Sequence, residues 1–217
     1  MSVNKPDEWN EFQKWFGARV DELHHIESHA DSLLIDRARA EFSGIFESGA
    51  AAQAVDHLER LLAMAWSAEG AALLRHYLAY ALAARTVEVR GVTRDGTLAF
   101  VERSQLEACE RLARSIQRLE TDDPDLEDFA ADLLDRLAEG QRWRWSGVKA
   151  ALSFAGLVVL LGVLPVVCGG LLDSTPTVMF GALVGAVLVF VFVVRHRKQR
   201  WLLDAEALAP LVWRHGR

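Results

Sequence analysis

Cysteines are scarce in this sequence, and the common motifs of catalysis are missing from it. The 217 residues include 2 cysteines, Cys109 in an amphipathic stretch and Cys168 in an apolar run. We therefore expect no disulfide bond and a reducing compartment. The sequence has no glycine-rich phosphate loop, no nucleophile elbow, no Cys-x-x-Cys pair and no carboxylate pair set apart by its spacing. We predict that the protein is not an enzyme and needs no cofactor.

The N-terminus lacks an apolar leader. Residues 1–11 include Lys5, Asp7, Glu8 and Glu11 but no apolar segment, whereas a secretory signal needs an apolar core of about 7–15 residues. We therefore expect the N-terminal part to stay on the side of the membrane where it is made.

Basic residues are few in the first two thirds of the chain. Residues 1–140 contain 15 Lys and Arg against 27 Asp and Glu, whereas residues 141–217 contain 9 against 3. Phosphate backbones would repel so acidic a segment, which excludes nucleic acid as a partner. An acidic part followed by a basic, apolar part instead predicts a cytoplasmic domain joined to a membrane anchor.

Two long runs, residues 150–172 and 177–194, contain no charged side chain. A helix needs about 20 apolar residues to cross roughly 30 Å of hydrocarbon. Only Asp173 to Pro176 separate the runs, so the two helices must be antiparallel. We predict a two-helix transmembrane hairpin within residues 141–200, without the ionisable groups that ion and proton pathways usually need.

Basic and aromatic residues flank this hairpin, while its loop has no basic residue. Cytoplasmic flanks of membrane helices are rich in Lys and Arg, and Trp favours the headgroup layer. We predict an inner (plasma) membrane protein with two spans and both termini in the cytoplasm. The predicted interface anchors are Trp143, Trp145, Trp201, Arg142, Arg144, Lys149, Arg195, Arg197, Lys198 and Arg200.

Small residues recur one helical turn apart in the second run. Gly181 and Gly185 form a GxxxG pattern, with Ala182 and Ala186 beside them. Such residues let helix backbones approach closely. Two interpretations stay open: these residues pack the hairpin on itself, or they join hairpins of different subunits into a homo-oligomer.

The N-terminal part has the apolar periodicity of helices. Heptad spacing from Trp9 to Leu33 predicts one long first helix, and the alanine-rich stretch Ala71–Arg85 predicts the central helix. Alternating apolar residues around Arg94-Asp-Gly96 predict a small inserted β-hairpin near residues 86–101, either a decorated loop or a binding edge.

The predicted fold is that of an all-α membrane protein. Residues 1–140 form a cytoplasmic bundle of helical hairpins that carries the small β-hairpin. The two-helix transmembrane hairpin follows, and residues 201–217 form a short amphipathic cytoplasmic tail.

Metal-ligand side chains are concentrated in one short segment. Glu22, His25 and His29 fall three and four residues apart and share a helix face, which is a spacing that can hold a metal ion. A closed site needs further ligands from elsewhere in the chain. We therefore favour a solvated helix face over a metal site.

Three classes of function remain open. The favoured one is a non-enzymatic protein, anchored in the inner membrane, whose cytoplasmic domain binds an unidentified protein partner or self-associates. The second is a membrane effector of the defence or toxin type, whose cytoplasmic sensor drives the hairpins to oligomerise into a pore or membrane-disrupting assembly. The third is a membrane-bound metalloenzyme.

Overall fold

The computed structural model describes residues 7–26, 31–47, 49–145, 154–172 and 174–214, and these are mostly helical. The chain divides into two compact units. The bundle unit comprises residues 1–139 and 204–217, and the hairpin unit comprises residues 140–203. Residues 204–217 belong to the same unit as residues 1–139, so the hairpin unit is an insertion within the sequence of the bundle unit.

An alanine-rich helix lies at the centre of the bundle unit. The helices of the N-terminal part are α1 (Glu8–His24), α2 (Ser32–Ala40), α3 (Ala50–Met64), α4 (Ala68–Val89), α5 (Arg103–Arg118) and α6 (Pro124–Gln141). Helix α4 packs against α1, α2, α3 and α5. Ala79, Ala81 and Ala83 have no exposed surface, because neighbouring helices approach α4 over their small side chains. The central helix predicted from Ala71–Arg85 is confirmed.

The first helix is shorter than the heptad pattern predicts. Helix α1 ends at His24, and Leu33 belongs to α2. Asp31 precedes α2 with a left-handed backbone (φ 58°), and its carboxylate accepts hydrogen bonds from the backbone N–H groups of Trp66 (3.4 Å) and Ser67 (3.1 Å). The prediction of one continuous helix is wrong because this turn ties the start of α2 to the α3–α4 loop.

The inserted β-hairpin is smaller than predicted. Its strands are β1 (Gly91–Thr93) and β2 (Leu98–Ala99), which pair antiparallel. Thr86–Val89 is the last turn of α4 and not a strand. Burial in the bundle outweighs the β propensity of these residues, and the Thr86 hydroxyl donates a hydrogen bond to the Ala83 carbonyl (2.8 Å).

A strand from the end of the chain completes this sheet. In the bundle unit, β5 (Val212–Arg214) pairs with the other edge of β1, so the strand order is β2-β1-β5. Both edges of β1 are therefore occupied, and the decorated-loop interpretation describes β1 better than a binding edge does.

Both tyrosines lie in the aromatic core. The Tyr80 hydroxyl donates a hydrogen bond to Asp123 (2.6 Å). Burial raises the pKa of Tyr80, and the Asp123 carboxylate raises that pKa further. Burial also raises the pKa of Tyr77.

Titration of the phenols is expected to report unfolding of the bundle unit. The chain has 2 tyrosines, and each has a folded pKa above the free value of about 10. Because folding favours the neutral phenols, their contribution to stability is present below about pH 10 and is lost as the pH rises further. Tyrosinate absorbance should therefore rise together with loss of circular dichroism, and Tyr80→Phe should halve its amplitude. A gradual rise near pH 10 in the folded protein would contradict this.

The hairpin unit contains two long apolar helices. The first extends over Phe154–Leu171 and includes a π-helical stretch (Val159–Val163) followed by α7 (Leu164–Leu171). The second is α8 (Thr175–His196). Pro165 has no N–H to give to the carbonyl four residues earlier, which accounts for the irregular turn before it.

Both helices are long and apolar enough to cross a membrane. Only 11% of the Phe154–Leu171 window and 6% of the Thr175–Phe192 window are buried. A core helix of a soluble protein would instead be mostly buried. Their apolar side chains are thus left on the surface, in agreement with the two predicted spans.

Candidate functional site

Short strands bring the predicted interface anchors to one end of the hairpin unit. The strands β3 (Trp143–Trp145) and β4 (Arg197–Gln199) pair antiparallel, with Arg144 opposite Lys198 and Trp145 opposite Arg197. The predicted anchors also include Arg195, Arg200, Trp201, Arg142 and Lys149.

Helix α9 (Arg200–Leu208) follows β4 directly. The Arg200 backbone N–H donates a hydrogen bond to the Arg142 carbonyl (3.0 Å). The Trp201 indole N–H donates a hydrogen bond to the side-chain oxygen of Gln199 (2.7 Å). Arg195 lies in α8, and Lys149 lies outside the described residues. The basic and aromatic flanks thus share one end of the hairpin unit.

The predicted glycines contact the first apolar helix of the same chain. A Cβ atom added to Gly162 would lie 2.9 Å from the Gly185 Cα, and one added to Gly181 would lie 3.0 Å from the Gly162 carbonyl oxygen. Ala182 and Ala186 line the groove beside this contact. In this structure the GxxxG face packs the hairpin on itself, which is the first of the two interpretations.

The predicted metal ligands are not brought together among the described residues. Glu22 forms an ion pair with Arg19 (2.8 Å), and the exposed His25 ring contacts the Asp21 carbonyl (2.6 Å). His29 lies outside the described residues. Within the part of the chain that the structure describes, no group of three or more His, Cys, Asp or Glu side chains could hold a metal ion.

Sequence reasoning missed three exposed apolar side chains on the acidic bundle unit, near the contact between the α3–α4 loop and the start of α2. Trp66 is 79% exposed and Leu33 is 76% exposed, and the exposed Met64 lies two residues before Trp66. The hydrogen bonds from Trp66 and Ser67 to Asp31 hold the α3–α4 loop beside the start of α2. Leu33, Met64 and Trp66 are called the Trp66 patch below.

A charged cavity between α1 and α6 was also missed. These helices are antiparallel: Arg19 forms an ion pair with Asp125 at one end, and Glu8 with Arg136 (3.4 Å) at the other. Between them lies a cavity of about 380 Å³, here called the α1–α6 cavity. Its apolar wall includes the Trp15 and Phe129 rings, stacked with their centroids 5.4 Å apart.

Five carboxylates and two arginines line the α1–α6 cavity. The acids on α6 fall at helical spacing, so one face of that helix is acidic. Acids at this spacing are typical of a solvated helix N-terminus, and the neighbouring sequence does not indicate that α1 packs over them. The charged lining residues are Glu8, Glu11, Asp125, Asp128, Asp132, Arg90 and Arg136.

Comparison of the chain with protein-family models, curated proteins and solved structures finds no match. The proposed function therefore rests on the surfaces described above.

Proposed function

We propose that the protein is a non-enzymatic interaction protein anchored in the inner membrane. The observation that carries the proposal is the Trp66 patch. Burial of exposed Trp and Leu side chains against a partner is favourable, because it removes their apolar surface from water. Trp is also enriched among the residues that contribute most to the binding energy of interfaces. On the bundle unit they belong to an otherwise acidic sequence, where an apolar patch favours a specific contact.

The two apolar helices support the membrane anchor. Because β1 and β5 pair within the bundle unit, the chain segments before and after the hairpin unit return to one compact body. A hairpin that crosses a bilayer twice meets this requirement, whereas a single crossing would not. The basic residues on both flanks favour the cytoplasm for that side.

Contact within the hairpin already accounts for the glycines of the GxxxG pattern. Gly181 and Gly185 are occupied by contact with Gly162 inside the hairpin. Ala182 and Ala186 are exposed in the groove beside this contact, so the effector hypothesis keeps a surface on which hairpins of different subunits would meet. The interaction surface that we propose lies on the bundle unit instead.

The size of the particle extracted from native membranes tests the proposal. We expect the wild type in mild detergent to exceed the mass of one 24.1 kDa chain, through a partner or a second copy. Trp66→Ala combined with Leu33→Ala should reduce it to a single chain without loss of helix content. Protein analysis of the wild-type particle distinguishes a partner from self-association.

The control is Leu211→Ala, which truncates another exposed apolar side chain of the bundle unit and should leave the particle unchanged. Sealed inside-out vesicles should expose the bundle unit to added protease. A wild type that is already a single chain would refute the proposal, as would a particle that the double variant leaves intact.

A further inference from the structure

Arg90 is a buried cation that makes no direct ion pair among the described residues, although the nearby Glu8 carboxylate acts on it electrostatically. It is 6% exposed and lines the α1–α6 cavity. Its Nε donates to the Thr86 carbonyl (3.0 Å), and its guanidinium carbon lies 5.9 Å from the centre of the Phe100 ring. Among the described residues, no hydrogen bond or ion pair reaches its two terminal nitrogen atoms. A buried charge of this kind is costly unless an acid group binds it.

The charges of the cavity are arranged along its length. Glu8 and Arg136 both act electrostatically on Arg90, and Glu8 pairs with Arg136, so two cations and one carboxylate share this end of the cavity. Asp132 and Asp128 precede Arg136 by one and two turns of α6. At about 1.5 Å per residue, these carboxylates lie roughly 6 and 12 Å from Arg136 along the helix.

The cavity thus offers one end with two cations and a single carboxylate, an acidic end on α6, and an apolar wall between them. Its volume of about 380 Å³ falls in the range of small-ligand sites. A ligand with only an acid group would meet the surplus of carboxylates, and a ligand with only amines would leave the excess positive charge of Arg90 and Arg136 over Glu8 without a partner. A molecule with both groups satisfies both ends.

We propose that the α1–α6 cavity binds a small zwitterion whose acid group contacts Arg90 and Arg136 and whose amine contacts the α6 carboxylates. The class is that of ω-amino acids, with a short methylene chain between the two groups. That chain lies against the Trp15 and Phe129 rings, where a nearby ammonium also gains from the aromatic faces. This inference does not depend on the Trp66 patch or on the membrane anchor.

Calorimetric titration of the full-length chain in mild detergent tests the site. The probe is ε-aminocaproate, whose acid and amine are separated by five methylene groups. We expect saturable binding of one molecule per chain. Asp132→Asn and Arg136→Gln should each weaken it about tenfold or more, since each removes a charge-assisted contact. Both positions are exposed, and the Arg136–Glu8 ion pair that the second change removes is of the surface kind, which contributes about 1 kcal/mol or less to stability.

Two controls separate the site from general charge effects. Asp135→Asn removes a carboxylate from the same helix but outside the cavity and should leave binding unchanged. Caproate lacks the amine and hexamethylenediamine lacks the acid, so each should bind at least about tenfold more weakly than ε-aminocaproate.

Three results would overturn the proposal. The first is absence of saturable ε-aminocaproate binding to the folded wild type. The second is equal binding of caproate or of the diamine, which would mean that the cavity recognises only one charge. The third is equal weakening by Asp135→Asn and Asp132→Asn, which would attribute the effect to net charge.

Discussion

Gly162→Leu is expected to separate the two apolar helices of the hairpin unit. The added Cβ alone would lie 2.9 Å from the Gly185 Cα, a backbone atom that no side-chain rotation can move away. Overpacking of a close contact costs about 1–3 kcal/mol, which corresponds to a shift of roughly 5- to 150-fold in the packing equilibrium.

Disulfide formation measures this separation. Val158 and Val189 line the same groove between the helices, so Val158→Cys with Val189→Cys should cross-link readily in a Cys168→Ser background. Gly162→Leu should slow this cross-linking about tenfold. Gly156→Leu and Gly170→Leu are matched controls, since nothing lies within 4 Å of a Cβ at either position. Equal cross-linking in all variants would show that the glycine contact does not hold the helices together.

Ala79→Leu is expected to destabilise the bundle unit by about 1–3 kcal/mol. Ala79 has no exposed surface on the central helix α4, and neighbouring helices leave no room there for a larger side chain. The free energy of unfolding of the full-length chain in mild detergent, from guanidinium titration followed by circular dichroism, measures the effect.

The control for this change is Ala72→Leu. Ala72 lies on the same helix and is exposed, and leucine is nearly as good a helix former as alanine. The expected change in stability is therefore within about 0.5 kcal/mol. Similar losses at both positions would mean that α4 is not enclosed by the helices described above.

The apolar helices were predictable because the signal is local. Residues 150–172 and 177–194 lack charge over the length of a membrane span, and the structure has helices at Phe154–Leu171 and Thr175–His196. The alanine-rich central helix was equally accessible from the sequence. In both cases the composition of one continuous segment decides the structure.

The predictions that are wrong concern segments whose structure depends on contacts with residues distant in sequence. The heptad from Trp9 to Leu33 is locally consistent with one helix, but Asp31 turns the chain by binding Trp66 and Ser67. Thr86–Val89 alternates like a strand, yet burial on α4 keeps it helical. Periodicity within a segment does not reveal such tertiary contacts.

The α1–α6 cavity was beyond local reasoning for a similar reason. Its charges come from α1, the end of α4 and α6, which are far apart in sequence. Asp125, Asp128 and Asp132 alone are typical of a solvated helix face, and Arg90 alone is typical of a residue within the predicted strand. Only the antiparallel pairing of α1 with α6 encloses them together.

The pairing of β1 with β5 constrains the order in which a nascent chain can mature. Gly91–Thr93 leaves the ribosome before both apolar helices, whereas Val212–Arg214 follows them. Until then one edge of β1 lacks its partner and presents open N–H and C=O groups to other chains. A stalled or truncated product would keep that open edge, which makes it prone to aggregation and a substrate for quality-control proteases. Pairing of β5 with β1 therefore indicates that translation has passed both apolar helices.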